Sequence, residues 1–457
     1  MKNLSRRTFQ KTAAAASTAI PLFSIGKTGQ SANSKVNVAM IGAGNIAAQA
    51  YSGTRNENLV AICDVDTAQF GQHAGKFPSI NNARTFTDFR VMLDKIGNDL
   101  DMVCVNTPDH THFPATMEAM QRGLHVFTQK PLVHNIWEAR TLKKAKEKYQ
   151  VLTNMGNQGH TFNGIRQLKE WYDHGIFGQI TEAHSFIGGP HWGNPFFSRP
   201  ETLPPTQDPV PATLDWNLWQ GPTGPAPFHH RYHPKTWRGF NRYGTGTFGD
   251  WFCHVADAPV WLLDLYEPVS VEAVNTAGGN EWLVVDGCSI KFEFRHRGDK
   301  SPCTFYWHNG VTDEFKPKAP ADWSWPGNPP AAGTYYFGTK NNGFTDNRSN
   351  NPRLANKEAQ IEFKASGYPD EVIPRVKGGP IKELVEAVKG NIPACGANFD
   401  YAAPFTEIML LGLIAANHGG KIEWDSKNMK ITNRPELNRF LKEPVRKGWE
   451  YGEELWK

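Results

Sequence analysis

The chain has 457 residues, with 49 Lys+Arg against 45 Asp+Glu, 39% hydrophobic residues, 12% aromatics, 42 Gly and 32 Pro. At roughly 100–200 residues per domain this length implies two or three domains, and the composition excludes intrinsic disorder. A formal charge of +4 excludes a general nucleic-acid binder, and six cysteines are too few for a disulfide framework in so long a chain.

At the N-terminus, Ser5-Arg6-Arg7-Thr8-Phe9-Gln10-Lys11 precedes a small-residue apolar run from Thr12 to Ile25. This looks like a twin-arginine export signal, because the apolar run is too short to span a bilayer. Residues 1–33 are expected to be removed after export, leaving a periplasmic mature chain without an integral membrane segment. That leader carries five of the 49 basic residues and no acid, so its removal leaves 44 basic against 45 acidic. A nearly neutral, aromatic-rich chain suits a neutral carbohydrate better than a phosphorylated one.

From Lys35 the pattern changes to a short apolar strand, Val36–Ile41, closed by Gly42-Ala43-Gly44-Asn45-Ile46-Ala47. Strand, G-x-G-x-x-A turn and helix make the first unit of a dinucleotide fold. Gly42 permits the tight turn, Gly44 lets the backbone approach a pyrophosphate, and Asn45 and Ile46 open the helix whose N–H groups face it. A second strand, Leu59–Cys63, ends in Asp64, placed to bind ribose hydroxyls and to repel a 2′-phosphate, so NAD is expected rather than NADP.

Further apolar strands at 101–105, 125–128 and 151–154 alternate with helices at 115–122 and 136–149, which implies a parallel sheet covered on both faces. Ligands of such sheets sit at the carboxyl ends of the strands. Asn106, Gln129 and Asn157 would cluster there, and Thr107, Pro108, His110, His112, Lys130 and Gln158 are further cofactor candidates. Cys63 and Cys104 lie inside strands and read as core.

Gln129-Lys130-Pro131-Leu132 follows the fifth strand, and Gly249-Asp250-Trp251-Phe252-Cys253-His254 comes much later. With Thr107-Pro108-Asp109-x-x-His112, these segments resemble the Gfo/Idh/MocA family (glucose–fructose oxidoreductase / inositol dehydrogenase). The resemblance runs over nearly the whole chain after the leader. It implies an α/β protein with an N-terminal Rossmann domain (34–156) and a C-terminal α+β domain (157–432) bearing an open, mostly antiparallel sheet. A charged, aromatic arm (433–457) follows, and a homo-oligomer, dimer or tetramer, is expected.

The chemistry calls for the same residues. Oxidising a sugar hydroxyl needs a base for its proton while hydride leaves to nicotinamide. Asp250 and His254 are i and i+4, on one face of a helix. His254 is the candidate base, Asp250 holds the sugar or orients the imidazole, and Lys130 hydrogen-bonds the reacting oxygen and stabilises a developing alkoxide. Gln129 departs from the family, whose acid before the lysine it replaces with a neutral amide, removing a carboxylate from beside Lys130.

Residues 187–245 are rich in Gly, Pro, Trp and His and read as an ordered loop over the site, with Tyr232, Trp237 and Arg238 as candidate substrate contacts beside Lys130, Asp250 and His254. The histidines of His229–His233 have no evident acid or Cys set, so no metal is expected. A single helix is expected over Gly249–Leu265, strands at 179–187, 271–274, 289–294, 303–308 and 335–338, and otherwise loop across 317–357. Three functions fit: a periplasmic NAD-dependent oxidoreductase acting on a ring hydroxyl of a sugar, glycoside or cyclic polyol with a bound, recycled cofactor; an NAD-dependent glycosidase working by transient oxidation, elimination and re-reduction; or an inactive sugar-binding protein.

Overall fold

Six short segments build the first sheet: β1 (Asn37–Ile41), β2 (Asn58–Cys63), β3 (Arg84–Phe86), β4 (Met102–Val105), β5 (His125–Thr128) and β6 (Thr153–Met155). All run parallel, in the order β3-β2-β1-β4-β5-β6. The computed structural model describes residues 35–325 and 330–457, so the expected export signal lies outside the described residues.

Period-2 alternation splits the central strands between two cores. Ala39, Ile41, Val103 and Val105 face the helices Asp109–Gln121 and Ile136–Tyr149. Val38, Met40, Cys104 and Phe127 face the helices Ala47–Gly53 and Gly379–Val388. The second face is therefore completed by a helix from far along the chain. Strand order reverses between β1 and β4, which opens a crevice at their carboxyl ends.

The second sheet comprises β7 (Ile180–Ile187), β8 (Ser270–Gly278), β9 (Val285–Phe294), β10 (Cys303–Asn309), β11 (Gly333–Gly338), β12 (Gly343–Asp346), β13 (Arg353–Leu354), β14 (Gly420–Asp425) and β15 (Lys430–Ile431). Its order is β13-β12-β11-β7-β10-β9-β8-β14-β15, with only β7 and β10 parallel. The fold is the expected Rossmann domain joined to an α/β domain with a mostly antiparallel sheet. Ile290, Phe292, Phe305 and Trp307 cover its inner face and pack on the helices Gly246–Val255 and Phe399–His418. The latter is long and apolar enough to cross a membrane, but 83% of its apolar window is buried in this core.

Two expectations need correction. The stretch 317–357 is not simply loop: β12 and β13 extend the sheet there, too short and too glycine- and asparagine-rich to show a period. The helix expected over Gly249–Leu265 is two helices, Gly246–Val255 and Asp257–Leu263. Pro259 has no N–H for the carbonyl of Val255, four residues back. That carbonyl instead accepts from Thr334 Oγ1 at 3.0 Å.

Candidate active site

The turn after β1 is built for close approach. Gly42 has φ +87°, and a Cβ there would lie 2.8 Å from the Asn106 backbone. Asn45 N donates to Gln72 Oε1 at 2.6 Å, so an acceptor already rests on the helix entrance. Asp64 Oδ2 accepts from Ala43 N at 2.8 Å and its Oδ1 from Asp66 N at 3.0 Å. Burial pushes the Asp64 carboxyl up to about 6, against the pull of those two hydrogen bonds.

A groove runs from this turn between two walls. Gly42, Gly44, Asn45, Ile46, Asp64, Asn106, Thr107 and Pro108 form one, while Trp219, His233, Trp237, Arg238 and Trp449 belong to the other. The segment expected to lie over the site supplies most of the second wall and is pinned to the tip of β2. Asp215 N donates to Val65 O and Thr67 N to Thr213 O, each at 2.9 Å, and His233 Nε2 lies 2.9 Å from Asp66 Oδ2. The C-terminal segment closes the end: Trp137 N donates to Leu441 O at 2.8 Å, Arg446 N donates to Pro222 O at 3.0 Å, and the Arg90 guanidinium lies 4.3 Å from the Trp449 ring.

Several buried polar atoms near this crevice have no partner among the described residues: Asn106 Oδ1, Thr107 Oγ1, and both side-chain amide atoms of Gln129 and of Asn157. An unsatisfied buried polar group costs about 1–3 kcal/mol, so these atoms are suited to a polar ligand. With the glycine cradle and Asp64, they fit a dinucleotide.

The structure removes three candidates from the ligand-facing set. His110 sits between Trp219 O (2.9 Å) and Tyr243 O (3.3 Å), where burial pushes its pKa down to about 3. His112 sits between Pro131 O (2.7 Å) and Thr107 O (2.8 Å), bracing the lysine loop against the β4 turn. Tyr232 is buried against Trp216 and Phe240, with ring centroids 5.9 and 4.7 Å away, so it packs the loop rather than facing substrate. Gln158 lies on the rim, its Nε2 donating to Gln49 Oε1 at 2.6 Å.

At the reacting end, the helix Gly246–Val255 is two-sided. Phe248 and Phe252 enter the sheet core, with Phe252 fully buried beside Phe292 and Trp307, while Asp250 and His254 lie on the side of the lysine loop. Lys130 Nζ donates to Asp250 O at 2.9 Å and forms an ion pair with Asp250 Oδ1. Arg238 Nε lies 3.8 Å from the same oxygen. Burial opposes ionisation of Asp250, but the charges of Lys130 and Arg238 outweigh it and hold the carboxyl well below its usual range. His254 is 5% exposed and its Nδ1 has no partner. Burial, then the charges of Lys130 and Arg348, push it well below an ordinary histidine, so it stands neutral as a proton acceptor.

The description "Oxidoreductase family, NAD-binding Rossmann fold" of the Gfo/Idh/MocA family matches residues 36–157, and its "C-terminal alpha/beta domain" matches residues 163–291. The chain belongs to the Gfo/Idh/MocA oxidoreductase family. It is similar to D-glucoside 3-dehydrogenase of Escherichia coli (strain K12), 31% identical over 175 residues, covering 35% of this chain and 47% of that enzyme. It is also similar to a glycosyl hydrolase family 109 protein of Streptomyces coelicolor, 25% identical over 165 residues and 34% of each chain. The chain thus spans less than half the length of these relatives. Among solved structures, the WlbA dehydrogenase of Bordetella pertussis in complex with NADH and UDP-GlcNAcA shares the fold. Its TM-score is 0.58 at 16% identity, over 86% of this chain and 99% of that one.

Sequence reasoning missed Asp66, His233, Trp449 and Arg348. Asp66 stands two residues after Asp64 and could have been suspected; the other three reach the site through long-range packing. It also missed the acids near the histidine run. Asp208 Oδ2 lies 2.7 Å from His230 Nδ1, and Glu201 Oε2 3.8 Å from His229 Nε2. His229 Nδ1 accepts from Arg231 N at 3.0 Å, so buried His229 and exposed His230 are each already engaged by neighbouring protein groups.

Proposed function

We propose that the chain is an exported, NAD-dependent oxidoreductase that oxidises a ring hydroxyl of a sugar, glycoside or cyclic polyol. The single observation that carries this reading is the convergence of Lys130, Asp250 and neutral His254 beside Arg238, which itself lines the groove opening from the glycine turn.

Gly42, Gly44 and the helix entrance would hold the pyrophosphate, Asp64 a ribose, and Asn106, Thr107, Gln129 and Asn157 the remaining polar groups. NAD bound there supplies the hydride acceptor. His254 takes the hydroxyl proton on its neutral imidazole. Lys130, held by Asp250, donates to the same oxygen and stabilises negative charge that develops on it. Asp64 disfavours a 2′-phosphate, supporting NAD over NADP.

The strap over the groove supports a cofactor kept through turnover. That agrees with export in the folded state, since Arg6-Arg7 and the following apolar run read as a twin-arginine address.

The similarity to a family 109 glycosyl hydrolase favours a second reading. The same base and lysine would serve transient oxidation, elimination of the aglycone, addition of water and re-reduction, with no net consumption of NAD. Denaturing the purified protein and assaying the supernatant for NAD tests the cofactor; a glycoside panel tests the reaction. Keto-sugar with bound NADH supports the dehydrogenase, aglycone release without net NADH supports the glycosidase, and neither product contradicts both.

A further inference from the structure

Arg348 lies in the turn between β12 and β13. Asp346 Oδ1 shapes that turn by accepting from Arg348 N at 3.0 Å and Asn350 N at 2.9 Å. Ser349 Oγ donates to His254 O at 3.2 Å, and Asn350 Oδ1 accepts from Gly164 N at 3.1 Å. The turn is thereby fastened both to the helix that carries His254 and to the chain leaving β6.

Its guanidinium lies beside the helix Gly246–Val255. Nη1 donates to Gln158 Oε1 at 3.3 Å, and the group lies 5.6 Å from the centroid of Trp251, whose ring meets that of His254 edge-on at 5.6 Å. No carboxylate among the described residues lies within ion-pair distance of it, although Arg140 and Arg375 are paired with Glu407 and Glu170. Lys130 and Arg238 already share Asp250. Lys130 and Arg238 therefore flank the carboxylate of Asp250, while Lys130 and Arg348 act on the neutral imidazole of His254.

We propose that Arg348 reads a carboxylate on the substrate, so that the site prefers uronic acids and their glycosides to neutral sugars. This rests on the reading of the site as a carbohydrate oxidoreductase and refines the inference drawn from overall charge: the mature chain is nearly neutral, but the cleft is cationic. A guanidinium offers parallel N–H groups that match a carboxylate in two-point contact, and among the described residues only one nitrogen of the Arg348 guanidinium, Nη1, donates to the protein. Bound in this way, the acid would anchor the ring while Lys130 and His254 address a hydroxyl.

The test uses the holoprotein and matched pairs: methyl glucuronosides and galacturonosides against methyl glucosides and galactosides, in both anomers, with glucose 6-phosphate as a further arm. Calorimetry measures binding, and absorbance of bound NADH measures oxidation. The best uronoside is expected to bind about tenfold or more tighter than its neutral partner, as a charge-assisted contact implies. Arg348→Met should bring that ratio close to one, and Arg348→Lys should retain part of it. Equal affinities, a ratio unchanged in Arg348→Met, or tightest binding of the sugar phosphate overturns the proposal. Oxidation of neutral glycosides alone removes the carboxylate but leaves the oxidoreductase reading intact. Oxidation of no member, with NAD bound, contradicts that reading and this proposal together.

Discussion

Lys130 Nζ donates to the main-chain carbonyl of Asp250, at 2.9 Å, as well as pairing with its carboxylate across 120 residues of sequence. The lysine is thus fixed by two oxygens of one residue, and the carboxylate missing at position 129 is supplied by the helix Gly246–Val255. Lys130→Met is expected to lower kcat by about 10²–10⁴-fold, the usual worth of a positioned proton donor or oxyanion partner. Asp250→Asn should lower it in the same direction by releasing the ammonium. NAD content after denaturation should stay at the wild-type level in both.

The state of His254 sets the pH dependence. Its pKa is depressed by burial and by neighbouring cations, so the neutral base persists where an ordinary histidine would be protonating. kcat/KM is expected to stay level as pH falls from about 8 to about 6. A profile of wild-type enzyme with saturating cofactor checks this; loss of activity centred near the ordinary histidine value would contradict it.

Asp64 moves the other way. Its carboxyl is raised to about 6 by burial, and a ribose hydroxyl is accepted best by the ionised form. NAD affinity of cofactor-free protein should therefore be full above that value and decline as pH falls through it, by up to about tenfold per unit. Calorimetry in buffers of different ionisation enthalpy should show proton release on binding near pH 6. Asp64→Ser should weaken NAD and narrow the preference over NADP.

The C-terminal segment is tied to the Rossmann domain by His134 Nδ1 and Glu443 Oε2, 2.9 Å apart. Burial opposes protonation of His134, yet Glu443 and then Glu138 raise its pKa to about 9. A raised histidine contributes stability that is complete below its unfolded value, about 6.5, and is lost as pH rises through the folded value. Residues around Glu443 and Trp449 should accordingly exchange amide hydrogens faster above about pH 9, after correction for intrinsic rates. Glu443→Gln should bring that change to lower pH.

Retention of the cofactor is expected to depend on the strap. Burial works against ionisation of Asp66, but hydrogen bonds from His233 and Gln69 hold its carboxyl down at about 2, so the latch to His233 carries a full negative charge. Asp66→Ala should speed release of bound NAD, read as exchange with labelled NAD, by about tenfold for the loss of one charge-assisted contact. An unchanged exchange rate would remove this strap from the account.

Much of this site was legible in sequence where chemistry lies in contiguous or helically spaced residues. Gly42 and Gly44 end an apolar strand, Asp64 ends the next, and Asp250 and His254 recur at i and i+4. Arg348 and Trp449 were not legible, because each is delivered by long-range packing of a turn or tail with no period of its own. His110 and His112 were misread for the opposite reason: they follow Asn106 and Thr107 closely in sequence, but one turn of helix rotates them onto backbone carbonyls. The same limit hid β12 and β13, short strands specified by the edge of β11 rather than by any alternation of their own.

In the proposed reaction a substrate carbinol gives hydride within this site while His254 takes its proton. Stopped-flow absorbance of bound nicotinamide, with substrate carrying deuterium or protium at the oxidised carbon, tests it most directly. Bound NADH is expected in a single turnover, with a primary isotope effect on its appearance and loss of that phase in His254→Ala with cofactor still bound. Product formed with no reduced nicotinamide at any time and no isotope effect would contradict it.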